Sequence, residues 1–377
     1  MRGHALLSAS SSHRWIHCPP SIRLGERYEN RGSEYAAEGT EAHLLCEYRL
    51  KQMLGIPMED PVPGLQRYSK EMEANAEGYA QYVAEIYEKA KESCKDPVVL
   101  IEQQVSYEKW VRDGFGTADA LVVADGTLHV IDYKNGKGVL VECEDNSQMK
   151  CYGLGALEMF DGIYDIQNVA MTIYQPNRDN ISTNMLVKED LMEWAETVLA
   201  PAAALAFEGK GEYACGEWCQ FCPVKHICRA RADYAMELAR YDFADPDVLE
   251  DEDIEDILAR ADTLTSWASD VKDYALRQAL SGKEWKGWKL VEGRSNRKYT
   301  DEEKVAETVK KAGFDPYEKK LLGITAMTQT LGRKRFNELL GGLVMKPTGK
   351  PVLVPESDKR SAMNTAKDDF KEEENNG

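Results

Sequence analysis

The chain has 377 residues, 43% of them hydrophobic, and no apolar run approaching the ~20 residues of a membrane-spanning helix, which argues against an integral membrane protein. Its formal net charge of −18, from 47 basic and 65 acidic residues, argues against an indiscriminate coat for nucleic acid. It leaves room for a DNA enzyme whose positive charge is confined to one groove. The apolar run at the N-terminus is too short for a signal peptide, so the nine cysteines are expected in a reducing cytosol, as metal ligands, cluster ligands or free thiols. The length suits two or three domains.

In chain order, small polar residues 8–12 followed by Trp15 and Ile16 predict a short capped helix, which Pro19 and Pro20 stop at Cys18. Cys18 reads either as a buried structural cysteine or as a ligand paired with distant cysteines. Residues 33–54 are helical, with Ala37, Thr40, Leu44 and Tyr48 at helix spacing. His43 and Glu47 share a face of that helix, and Gly39 suits close approach of another backbone. Residues 56–64 form a loop. Residues 67–94 form an amphipathic helix with the stripe Met72, Ala76, Tyr79, Val83, Ile86 and Ala90. Residues 98–105 read as a strand carrying Glu102, which is either paired or metal-bound, or points outward from an edge strand.

A hairpin follows. Leu121, Val122 and Val123 lead into the turn signal Asp125-Gly126, and Leu128, Val130 and Ile131 lead out. Asp119 opens the first strand and Asp132 closes the second. Lys134, two residues on, leaves the same face as Asp132. Two carboxylates and an ammonium thus gather at one end of the hairpin, a setting for Mg²⁺ or Mn²⁺, or else an ordinary acidic hairpin with a solvated lysine. Residues 135–138 turn, and residues 139–141 read as a short strand. Residues 144–160 form a helix with Gln148 and Tyr152 one turn apart and Lys150 on another face. Residues 169–174 and 181–187 are strands. Residues 188–207 are a helix burying Leu191, Trp194, Ala195, Val198 and Leu199.

Cys215, Cys219, Cys222 and Cys228 then fall in a C-x3-C-x2-C-x5-C pattern. Thiolates suit Zn²⁺ or an iron–sulfur cluster, closed either by these four or by Cys18 with three of them. Lys225, His226, Arg229 and Arg231 form a local basic patch. Residues 245–256 read as an acidic linker or helix start. Ile254, Ile257, Leu258, Ala261, Leu264, Ala268, Val271 and Ala275 mark a long amphipathic helix. Residues 287–293 suggest a strand before the basic run 294–298. Thr300 with Glu303 suggests a capping box, and residues 328–340 a short helix. The last ~30 residues are expected to be disordered. The sequence contains no P-loop and no helicase motif.

Several of these residues together resemble the RecB-like branch of the PD-(D/E)XK nucleases with an iron–sulfur cluster. They are Gly39-Thr40-Glu41-Ala42-His43, Glu102, Gly116-Thr117-Ala118-Asp119, Asp132-Tyr133-Lys134, Gln148 with Tyr152, and Cys219, Cys222 and Cys228, with Cys18 in the place of the fourth family cysteine. The resemblance covers residues 8–230, and the later chain is similar to a phage and prophage protein family. It implies an α/β fold with a PD-(D/E)XK (restriction-endonuclease-like) core, a mixed central sheet flanked by helices. Residues 1–240 would form the nuclease domain with its iron–sulfur clasp, residues 245–345 a mainly helical region and residues 346–377 an acidic tail.

The implied activity is metal-dependent hydrolysis of DNA by an exonuclease that processes ends for phage recombination or repair. His43, Asp119 and Asp132 would hold one or two Mg²⁺ or Mn²⁺ ions with help from the Tyr133 backbone carbonyl. Glu102 would support that site, and Lys134 would orient the attacking water. Gln148 and Tyr152 would position the DNA strand. Cys18, Cys219, Cys222 and Cys228 would carry a [4Fe-4S] cluster, with zinc as the alternative and Cys215 left over. The implied partners are DNA ends or single strands and a single-strand annealing protein, in the cytoplasm of a bacterium or an infected bacterium, without a membrane. Two rivals stand beside this reading: a retired nuclease fold serving as a DNA- or protein-binding module, and an iron–sulfur redox or sensing protein. The intact Asp119, Asp132 and Lys134 speak against the first.

Overall fold

The computed structural model describes residues 5–28, 34–237, 251–291, 299–317 and 321–345. Residues 245–250 of the expected acidic stretch 245–256, the basic run 294–298 and the tail 346–377 lie outside them. The chain divides into two compact units, Met1–Ser281 and Gly282–Gly377. The sequence reading placed a boundary near residue 240; the long helix expected beyond it belongs to the first unit.

The first unit opens with a 3₁₀ turn and two short helices, α1 (Ser12–His17) and α2 (Ser21–Gly25), with Cys18 between them. Helices α3 (Glu34–Met53) and α4 (Lys70–Ser93) follow, the latter capped by Ser69, whose side chain accepts the Met72 N–H. Then come strands β1 (Val98–Ser106), β2 (Phe115–Val123) and β3 (Gly126–Tyr133). Helix α5 (Ser147–Phe160) crosses over to β4 (Ile166–Gln175), which turns back into β5 (Asn180–Val187). The five strands lie in the order of the chain, antiparallel except for the parallel β3–β4 pair that α5 connects. This is the expected mixed sheet flanked by helices.

Each sheet face buries its own cluster. Ala120, Val122, Ile131 and Tyr133 pack under α3 and α4. Leu121, Val123, Leu128 and Val130 pack under α5, the N-terminal arm and the later helices. Such alternation is what strands covered on both faces require. The buried stripe of α3 is Ala42, Leu45, Cys46 and Leu50. The expected stripe is rotated off it, for Leu44 is exposed. His43 consequently sits beside the buried stripe, half-buried at the rim of the sheet. Gly39 meets nothing within 4 Å, so the expected close backbone approach is absent there.

Two glycines on α5 do allow a close approach. A Cβ on Gly155 would lie 2.8 Å from Val105 Cβ and 3.1 Å from Ser106 O. Gly155→Ala is expected to cost about 1–3 kcal/mol by overpacking α5 on β1, measured as a lowered urea midpoint.

Several local expectations change. The first hairpin strand begins at Phe115, so Asp119 lies within β2 and not at its start. Residues 139–141 form no strand. Buried Gln175 takes their backbone groups instead, accepting from Val141 N at 3.0 Å and donating to Gly136 O at 2.8 Å and Val139 O at 2.7 Å. The start of α5 moves from 144 to Ser147 because Asn146 caps it, accepting from the Gln148 and Met149 amides.

The helix expected over 188–207 is α6 (Lys188–Trp194), a π segment (Ala195–Leu199) and α7 (Ala200–Glu208) in succession. Pro201 has no N–H to donate back one turn, and the π segment absorbs that defect. Val198 is exposed and Trp194 only partly covered, contrary to the expected burial. Helices α8 (Arg229–Met236) and α9 (Asp251–Leu280) complete the unit.

In the second unit, residues 287–291 form a turn and irregular chain, with no strand. Helix α10 (Glu302–Lys311) is capped by Asp301, which accepts the Lys304 N–H, in place of the expected Thr300 box. Gly332, at φ +75°, splits the helix expected over 328–340 into α11 (Ile324–Leu331) and α12 (Arg333–Leu340).

Candidate functional site

The β2–β3 ladder ends at the Ala120–Ile131 pair. Beyond that point the side chain of Asp119 takes the place of backbone pairing. Asp119 Oδ2 accepts the Tyr133 backbone N–H at 2.7 Å, and its Oδ1 lies 3.2 Å from His43 Nδ1 on α3. The Tyr133 ring, fully buried, meets His43 edge-on with centroids 5.6 Å apart. Besides the carbonyl expected of it, Tyr133 brings its N–H and its ring to the site, for which the sequence holds no signal.

Across from Asp119, β1 carries Glu102 with φ +50°. The register is the same on both sides of it, Ile101 facing Ala120 and Gln103 facing Ala118. A non-glycine residue forced into the left-handed region inside a strand costs on the order of 1–3 kcal/mol and persists where surrounding packing dictates it. The twist brings the carboxylate to its neighbours. Donor atoms of His43, Glu102 and Asp119 all lie within 4.8 Å of one another, a group able to hold a metal ion.

Asp132 and Lys134 stand beside this group, toward α5. Lys134 Nζ is 2.9 Å from Asp132 Oδ2 and donates to Gln148 Oε1 at 3.1 Å. Gln148 Nε2 reaches Asp132 Oδ1 at 3.3 Å and the Tyr152 hydroxyl at 3.1 Å. Gln148 therefore ties together the lysine, the carboxylate and the phenol. Tyr152 is buried behind it against Gly116, a placement that supports Gln148 and does not present the ring outward. Lys150 lies elsewhere, buried, paired with Asp145 at 2.8 Å and over the Trp194 ring.

The charges are shifted accordingly. Burial pulls the His43 imidazole down, but Asp119, its hydrogen bond and Asp132 overcome this and push it up to about 9. Burial, then the neighbouring Asp119 carboxylate, pushes Glu102 up to about 7. Burial also pushes Asp132 up against the pull of Lys134. Lys134 is held above the usual lysine range, Asp132 outweighing the burial. Since the folded value for His43 lies above the ordinary 6.5, its pairing stabilises the metal-free fold most below that pH and fades as pH rises through about 9.

An ion bound here must displace both the His43 and Glu102 protons. Mn²⁺ affinity is therefore expected to rise from about pH 6 to about pH 9, with proton release seen by calorimetry in buffers of different ionisation heat. Affinity that is flat over that range would remove both residues from the ligand set.

A second constellation lies at the N-terminal arm. A cavity there is lined by Cys18, Cys219, Cys222 and Cys228, with Arg14, Ser21, Lys225 and Arg231; Cys215 does not line it. Cys219, against burial, is drawn down to about 6, first by the neighbouring Cys215 and then by the Gly216 amide and Arg231. Burial pushes Cys18 up, opposed by the Ala214 and Ser21 amides. None of the nine cysteines is in a disulfide.

The basic patch expected here is largely paired off, with Arg231 buried, Lys225 and His226 half-buried and Arg229 exposed. Arg231 and Lys225 both bind Asp270 of α9, at 2.6 and 2.7 Å, Arg229 pairs with Asp233, and His226 stacks on Tyr274. Among the described residues no helix is long and apolar enough to cross a membrane.

Fold and site together define an α/β protein with a mixed five-stranded sheet, a His–Glu–Asp group able to hold a metal and a set of free thiols around one cavity. The chain belongs to the DUF2800 family, a family of proteins of unknown function, which it matches over residues 4–361. Among solved structures it is similar to the crystal structure of SSO0001, at 15% identity over 50% of this chain and 95% of that one, with a TM-score of 0.25.

Proposed function

We propose that this protein is a Mg²⁺- or Mn²⁺-dependent deoxyribonuclease of the RecB-like PD-(D/E)XK kind, acting as an exonuclease on DNA ends, with a thiolate-bound [4Fe-4S] cluster as a structural clasp. The observation that carries the reading is the convergence of His43, Glu102 and Asp119 within 4.8 Å at the end of the strand pair that also presents Asp132 and Lys134. One imidazole with two carboxylates suits Mn²⁺ at least as well as Mg²⁺. A bound ion would polarise the phosphoryl oxygen and lower the pKa of a coordinated water.

The chain's own residues do the rest. Glu102 and Asp119 supply anionic oxygens, and Tyr133 N–H and the ring beside His43 fix the ligand orientations. Lys134, held charged by Asp132 and aimed by Gln148, orients the water and offsets the charge that builds on the phosphoryl group. Water adds across the P–O bond, leaving a phosphomonoester and a hydroxyl. Single-stranded tails produced this way would suit an annealing partner in phage recombination or repair.

The donor set of the second cavity fits a soft-metal group: four free thiols, drawn from both ends of the domain, surround it. The test of the activity is a linear duplex and a single strand, each end-labelled, incubated with the full chain and Mg²⁺ or Mn²⁺. Metal-dependent release of nucleotides that stops on chelation is the expected result. No cleavage of either substrate with either ion would overturn the proposal and favour the binding-module reading.

A further inference from the structure

Three buried polar side-chain atoms that find no hydrogen-bond partner surround the thiol cavity: Arg14 Nη1, Ser21 Oγ and Arg231 Nε. Such atoms are uncommon, because a buried donor without an acceptor forfeits its hydration and gains nothing for it. A guanidinium cannot shed its charge to relieve the cost. Arg231 is almost wholly buried and satisfies its other nitrogens, Nη1 on Asp270 and Lys225 O, Nη2 on Ser266. Its Nε is the edge left over. The three residues come from two distant parts of the chain, α1–α2 and α8, and they meet only at this cavity.

The charges point the same way. Lys225 and Arg231 share one carboxylate, Asp270, which leaves one positive charge in excess, and Arg14 adds another, with no carboxylate paired to it among the described residues. Glu217, which faces the arm, is exposed and engages His13. With all four thiols neutral this would be an excess of two positive charges, and with a single thiolate an excess of one. Four thiolates around a 2+ core make a dianion, whether the core is [4Fe-4S]²⁺ or Zn²⁺.

We propose that Arg14, Ser21 and Arg231 form a donor collar for a dianionic tetrathiolate group held by Cys18, Cys219, Cys222 and Cys228, neutralising its charge and setting how firmly it is held and how easily it is reduced. The proposal rests on the clasp reading above. Hydrogen bonds to the sulfurs and nearby positive charge both stabilise the more negative, reduced state of a cluster. The collar therefore raises its midpoint potential. The three side chains are positioning residues and ligate nothing.

The experiment uses the full chain, purified without oxygen, as wild type, Arg14→Gln, Arg231→Gln, Arg231→Lys and Ser21→Ala. Metal content, circular dichroism, release of metal to a chelator and, for an iron protein, the midpoint potential are measured. Folded Arg14→Gln and Arg231→Gln are expected to release metal about tenfold faster and, with iron, to show a more negative potential. Ser21→Ala should shift both readings less in the same direction, and Arg231→Lys, which keeps the charge and loses the Nε donor, should fall between. If Arg231→Gln fails to fold, Arg14→Gln decides. Fully loaded variants with wild-type release and potential overturn the collar and leave the clasp standing. A wild-type chain that binds neither iron nor zinc, even after reconstitution, overturns the clasp and the collar with it.

Discussion

Asp132→Asn is expected to lower metal-dependent DNA cleavage by roughly 10³-fold or more while leaving the fold in place. The substitution is isosteric, and Asp132 is 2% exposed, so packing changes little. What goes is a buried negative charge and the partner that holds Lys134 at 2.9 Å. Gln148 still accepts from the ammonium, which limits the structural damage. Lys134→Met should cost a similar factor by another route. The His43, Glu102 and Asp119 group is intact in that variant, so Mn²⁺ binding should survive while the rate falls. End-labelled cleavage assays with parallel calorimetry on both variants separate the two roles. Wild-type rates in either would show that the D-Y-K end of β3 is not the reacting centre. Loss of Mn²⁺ binding in Lys134→Met would show that the lysine shapes the ion site and does not act on the water.

The residues of this centre were legible in the sequence because strand periodicity is strict. An apolar run, a turn at Asp125-Gly126 and a second run place Asp132 and Lys134 on one face without further information. The structure keeps them on the side of α5. It places Asp119 differently, because Gly116, Thr117 and Ala118 continue pairing with β1 and the strand starts before them. A sequence reader stops a strand at glycine; a partner strand can carry it through. The positive φ of Glu102 leaves no trace in residue type, since packing around the residue imposes it. The result is a group able to hold a metal ion that includes Glu102, with Asp132 and Lys134 beside it.

Long-range partners explain most of what stayed hidden. Lys225, Arg229 and Arg231 look like a basic surface when read locally. Asp270, 39 residues past Arg231, turns two of these cations inward, and no short-range pattern announces it. Gln175 replaces the short strand expected at 139–141 for the same reason: its side chain arrives from β4 and satisfies a loop. Tyr152 was legible as a neighbour of Gln148 from helical spacing, but not as buried, because Gly116 opens the space for its ring. Local periodicity thus reported which residues share a face, and tertiary packing decided which way that face looks.

Cys18→Ser is expected to release the clasp, and Cys215→Ser to keep it. Cys18 lines the cavity with Cys219, Cys222 and Cys228, while Cys215, a neighbour of Cys219, does not. Protein purified without oxygen should show broad absorption near ~400 nm, where thiolate-bound clusters absorb, lost in Cys18→Ser and retained in Cys215→Ser. The arm would not detach altogether. Trp15 is fully buried, the Tyr107 hydroxyl holds Leu7 O at 3.1 Å, and Ser12 meets Ser147 at 2.6 Å in the interior. Loss of the group should therefore lower stability by about 2–5 kcal/mol, the scale of removing a native cross-link, without unfolding the domain. For the first unit, Met1–Ser281, that corresponds to a fall of roughly 3–9 °C in the thermal midpoint. A colourless protein with one zinc, indifferent to Cys18→Ser and emptied by Cys215→Ser, would give the site to the four local cysteines. The arm would then be held by Trp15, Ser12 and Tyr107 alone, and the nuclease reading would rest on the centre at His43, Glu102, Asp119, Asp132 and Lys134.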